Sequence, residues 1–106
     1  MAPTTERRTP AKVSRAMVRM GEVLSTWRKL RRLTVAEVAD RANISVSTLS
    51  RLERWNGASL ENTLAVARAL GVIDSLAGSV DPYETDLGRA RADEALPVRV
   101  RRKDPS

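Results

Sequence analysis

Within the stretch VSTLSRLER, residues 46–54, five side chains have the types that meet nucleobases and phosphates. An arginine such as Arg51 can donate two parallel hydrogen bonds to guanine O6 and N7, Ser47 can donate or accept, and the Val46 methyls can meet a thymine methyl. Ser50 and Arg54 share their side if the stretch is helical, while Leu49 and Leu52 fall on the opposite one. That outer face carries no acid. It is a chemistry of recognition rather than of bond breaking. The chain has no Cys and no His, which removes thiolate chemistry, the usual zinc ligand sets and imidazole acid–base catalysis together. Glu53 lacks a second carboxylate or metal ligand at useful spacing, and no phosphate loop or nucleophile–base pair is present. No catalytic role, cofactor or metal is therefore expected.

Two short helices must present this face. Thr34 with Glu37 three residues later is a capping box that opens VAEVADRA, in which Val38, Ala39 and Ala42 share an inner face. Asn43 tolerates positive φ and ends that helix. Ser45 caps the next, which carries the outer face. Two helices of roughly 8 to 10 residues with a tight turn make a helix-turn-helix, whose second helix can enter a DNA major groove.

The flanking sequence supplies a scaffold. From about Lys12 to Arg32, the residues Val13, Ala16, Met17, Met20, Leu24, Trp27 and Leu30 recur at threes and fours, predicting one amphipathic helix with these side chains inward. Gly21 in its middle marks either a close packing contact or a break. Arg28 lies near enough to the inner face to reach a neighbouring helix. Ser59 opens LENTLAVARAL with Leu60, Leu64, Ala67 and Leu70 as its expected inner stripe, and Gly71 stops it. Val72, Ile73 and Leu76 predict a fifth, short helix that either covers the open end of the core or is a self-association surface. Asp81 followed by Pro82 starts a further segment, and Asp86 is the expected cap of a turn running from Leu87 to Ala95. Few apolar residues (Tyr83, Leu87, Ala90, Leu96) support this segment, so it needs a partner to pack against.

The resulting fold class is all-α. Residues 1–11 read as a disordered basic arm, 12–78 as the helix-turn-helix domain, 79–96 as a C-terminal helical extension making dimer or partner contacts, and 97–106 as a basic tail. Charge is unevenly placed along the chain of net +6. Residues 1–58 hold twelve Lys or Arg against five Asp or Glu, residues 59–96 hold three against seven, and residues 97–106 hold four against one. The positive excess thus sits with the helix-turn-helix and the tail, as a surface meeting a polyanion requires. No apolar run approaches the roughly 18 residues of a membrane span, so no membrane contact is expected, and the expected location is cytoplasmic, at the nucleoid.

The segment from Met20 to Val72, MGEVLSTWRKLRRLTVAEVADRANISVSTLSRLERWNGASLENTLAVARALGV, resembles the Cro/repressor-type helix-turn-helix, or xenobiotic-response-element, family. The resemblance implies a compact five-helix bundle that binds double-stranded DNA as a homodimer, here as a transcriptional repressor on a palindromic operator. It implies base contacts from Val46, Ser47, Thr48 and Arg51. Backbone contacts are implied for Thr34, Val35, Ser45, Ser50, Arg54 and Asn56, and a structural ion pair for Arg28 with Glu53. Two positions depart from the family pattern. Val35 replaces a common Gln that contacts the DNA backbone, and Trp55 replaces a common Gly. The loop after the second helix is thus expected to start later, at Gly57, with the indole either on the core or against sugar and phosphate. The C-terminal stretch PYETDLGRARADEALPVRVRRK is similar to the end of HipB-like antitoxins, which implies a HipA-type kinase toxin as protein partner and autorepression of the shared operon.

Overall fold

The computed structural model describes residues 8–98, which form helices and turns and no strand. It divides into two compact units, one through Leu76 and one from Ala77. Apart from residues 8–11 and 97–98, the expected N-terminal arm and basic tail lie outside the described residues.

The first unit opens with α1, Ala11–Leu30. Its stripe was expected to turn inward along its whole length, but only Gly21 and Leu24 are buried, with Met20 packed beside them. Val13, Met17, Trp27 and Leu30 remain exposed, Leu30 at 69%. Length explains this: a 20-residue helix spans about 30 Å, whereas an 8-residue partner spans about 12 Å and covers only its middle. Gly21 does not break the helix.

Helix α2, Val35–Ala42, starts in the capping box. Thr34 Oγ1 accepts from the Glu37 N–H at 3.1 Å, and the Thr34 N–H donates to Glu37 Oε1 at 3.0 Å. The Thr34 backbone N–H, and after it the Thr34 hydroxyl, hold the Glu37 carboxyl below its ordinary value of 4.5, with Arg41 adding to the effect. A depressed folded-state pKa means that the stabilisation is complete above the unfolded value and is lost as pH falls through the folded one. Thermal midpoints measured down an acid series should therefore fall less steeply in Glu37→Gln, which removes the titrating carboxyl, than in the unaltered protein. Equal acid dependence would show that the capping box contributes nothing.

Asn43 closes α2 with φ 56°, its N–H donating to the Asp40 carbonyl and that of Ile44 to the Ala39 carbonyl. Helix α3, Val46–Glu53, is capped by Ser45 and buries Leu49 and Leu52. It does not run on to Gly57. Trp55 itself takes the left-handed conformation, φ 55°, its N–H donating to Leu52 and that of Asn56 to Arg51. The need to satisfy the last carbonyls of the helix overrides the preference for glycine there. Arg32 does the same after α1, with φ 57°.

Helix α4, Leu60–Leu70, buries Val66, Ala67 and Leu70. Leu60, placed inward by the sequence pattern, is 73% exposed, and Leu64 is only half-buried. Val66 sets the face, and Leu64 lies more than a quarter-turn round from its centre, at about 100° per residue. Helix α5 is Ile73–Gly78. Its Ile73 and Leu76 pack against the core beside buried Val72, which favours the covering role over self-association.

In the second unit Asp81 Oδ1 accepts from the Tyr83 N–H at 2.9 Å and starts a 3-10 turn, Pro82–Glu84. Helix α6, Asp86–Ala90, is capped by Thr85 rather than by Asp86, and it stops well short of Ala95. Thr85 has the extended backbone of a cap, and its Oγ1 accepts from Gly88 at 3.0 Å. Asp93 and Glu94 would place acids at the negative end of a longer helix.

Candidate nucleic-acid interface

Helix α3 is held by three anchors. Leu49 and Leu52 seat it in the core with Leu24, Val38, Ala39, Val66 and Leu70. Against α1 it comes so close that a Cβ on Gly21 would lie 2.7 Å from the Leu52 carbonyl oxygen and 2.8 Å from that of Glu53. Gly21 is thus a packing contact. The third anchor is ionic. Arg28 Nε donates to Glu53 Oε2 at 2.7 Å and Nη2 to Oε1 at 3.1 Å, while Nη1 donates to the Leu33 carbonyl at 3.0 Å. With the two side chains only 13% and 12% exposed, the planar fork is nearly desolvated and fixes the last turn of α3 to the end of α1.

Seated this way, α3 turns its other face out. Val46, Ser47, Ser50, Arg51, Arg54 and Asn56 line one open groove, which includes two guanidiniums and no carboxylate. Six of the residues singled out from the sequence thus come together. The others differ in how they could contribute. Ser45 Oγ accepts from the Thr48 N–H at 3.0 Å and lies 3.1 Å from Ser47 Oγ and 2.7 Å from Thr48 Oγ1. Thr48 is half-buried and outside the groove lining, its hydroxyl engaged at this cap. Val35 packs its side chain against the core, so what it can offer an anion is its N–H, which at the first helical position has no intrahelical acceptor. Thr34 is exposed. Its hydroxyl accepts from the Glu37 N–H.

Two features were not legible from residue types. One is the choice between contact and break at Gly21, which depends on where α3 crosses α1. The other is Trp55, which is 53% exposed and lines one shallow cleft with Thr9, just before α1, and with Ser14 and Met17 of α1. Its neighbours Arg54 and Asn56 line the groove. No described helix is long and apolar enough to cross a membrane. Among the described residues no cluster of three acids could hold a metal ion.

The model of a helix-turn-helix family matches residues 24–73, from the middle of α1 to the start of α5. No curated protein and no solved structure matches the chain.

Proposed function

From residues 24–73 being a DNA-binding helix-turn-helix of the Cro/C1 type, we propose that the chain is a sequence-specific transcriptional repressor acting as a homodimer on a palindromic operator. The observation that carries the proposal is the groove of α3. It is free of carboxylates, is bordered by Arg51 and Arg54, and lies on a helix whose opposite side is locked by Leu49, Leu52 and Glu53. A rigid support matters because base readout requires donors held in register with base edges, and a loosely held arginine would contact phosphates indiscriminately.

Arg51 lines the groove and has the reach for a bidentate contact with guanine, while Val46 and Ser47 at the start of the helix supply an apolar and a hydroxyl contact. Arg54, Asn56, Ser50 and the caps at Thr34 and Ser45 supply phosphate contacts around them. A dimer sets two such helices about 34 Å apart, one turn of DNA. This reading assigns the chain binding without turnover.

Arg51→Ala is expected to weaken binding to the operator by about 1–3 kcal/mol and to relax selectivity at one base pair per half-site. Arg54→Ala should weaken operator and unrelated duplexes alike. Competition titrations with operators altered one base pair at a time measure both. An Arg51→Ala protein with unchanged selectivity would contradict the assignment of Arg51 to base readout.

A further inference from the structure

Helix α5 turns its apolar residues to the core, which leaves the homodimer contact to another surface. Val46 lines the α3 groove, and Met17 and Trp55 share a cleft of their own. A further group of exposed apolar side chains shares a groove on α1. Val23, Trp27 and Leu30, exposed at 40%, 37% and 69%, line it with Arg19, Glu22 and Thr26.

Helical periodicity sets this groove across α1 from α3. At about 100° per residue, Arg19, Val23, Thr26 and Leu30 keep one line, with Gly21, Leu24 and Arg28 on the opposite side. Those three face the core and α3. Spacings of four, three and four are those at which two helices pack side by side along a seam. Glu22 and Lys29, seven residues apart, flank the line on one side, and Trp27 flanks it on the other. Both charged side chains are exposed, and neither has an ion-pair partner among the described residues.

The occupant that fits is a second copy of the same helix, running antiparallel. A two-fold axis passing between Ser25 and Thr26 lies equally far from Glu22 and Lys29, so it brings Glu22 of each copy level with Lys29 of the other, on the same edge of the seam. Val23 of each copy then packs between Thr26 and Leu30 of the other. A parallel pair would instead set Glu22 against Glu22. The like charges of Lys12, Arg15 and Arg19 are carried to opposite ends of the antiparallel seam, those of one copy about 20 Å or more from those of the other, well past the screening length of about 8 Å.

We propose that the outer face of α1 is the homodimer seam, closed by Val23, Thr26 and Leu30 and by two reciprocal Glu22–Lys29 ion pairs. The proposal deepens the homodimer reading above and rests on it. Both α3 grooves stay uncovered, because α3 packs on the far side of α1.

The test follows the full chain by sedimentation velocity over a concentration series, with and without a selected operator duplex. Glu22→Lys and Lys29→Glu each turn two symmetry-related attractions into repulsions, and each should weaken the dimer roughly tenfold at low salt and less at high salt. The variant carrying both changes should dimerise as the unaltered protein does, a recovery that damage to the fold would not allow. Absence of cysteine from the chain permits a second probe. Under oxidising conditions Thr26→Cys, beside the axis, should yield a disulfide-linked dimer, and Val13→Cys, off the line, should not. Under reducing conditions the thiol introduced at residue 26 should be alkylated more slowly as protein concentration rises.

A dimer of unchanged strength in both single variants, or one not restored in the double variant, would overturn the proposal while leaving the homodimer reading intact. Thiol protection independent of concentration would assign the face to the chain's own second unit and overturn it equally. A monomer at every concentration, on and off DNA, would sink the homodimer reading itself.

Discussion

Glu53→Ala is expected to destabilise the first unit by about 3 kcal/mol or more, the range for removing one member of a buried ion pair. The geometry decides the magnitude. Both side chains are almost fully covered, and the Arg28 fork makes two bonds to Glu53 and one to the Leu33 carbonyl. Without the carboxylate, the guanidinium keeps one acceptor and little water. A domain of this size has a net stability of about 5–15 kcal/mol, so a large part of it would go. The same change should weaken DNA binding, because Glu53 ends α3 and ties it to α1. Replacing both partners with apolar residues, as in Arg28→Met with Glu53→Leu, should cost much less, since no buried charge is stranded. Urea unfolding of the two single variants and the double variant measures the coupling. Additive effects would show that the pair is not a unit.

The second large effect is steric. A methyl group on Gly21 would meet two backbone carbonyl oxygens of α3 at 2.7 and 2.8 Å. Alanine would gain up to about 1 kcal/mol of helix propensity over glycine, but backbone cannot swing aside as a side chain can, and overpacking of this kind costs about 1–3 kcal/mol. The clash therefore outweighs the propensity, and Gly21→Ala should be net destabilising. It should also push α3 off its seat, so that operator affinity falls although residue 21 is remote from the groove. Gly78→Ala is the control. A Cβ there meets nothing within 4 Å, so no steric penalty is expected in the same urea measurement. Equal stability of the two variants would refute the close approach of the helices.

Local signals foretold most of what positions the site. The capping box at Thr34, the left-handed Asn43 and the Ser45 cap each involve residues within four positions of one another, and each formed as expected. The pairing of Arg28 with Glu53 spans 25 residues. It followed from the family resemblance, because no local rule joins those two positions. What escaped was long-range or graded. Burial along α1 and α4 depends on how far the neighbouring helices extend, which periodicity does not record. Thus Leu60 and Leu30 looked inward and are exposed, while Val66 went unremarked and is buried. Trp55 and Arg32 adopt positive φ against their preference because helix closure demands it. Thr85 outcompeted Asp86 as a cap through backbone geometry that residue types alone do not reveal.

The most direct test of the central claim is selection of bound sites from random double-stranded DNA by the full chain. The account predicts recovery of one short sequence in two inverted copies whose centres lie about 34 Å apart, one recognition helix per copy. A bound pool with no shared sequence would contradict it.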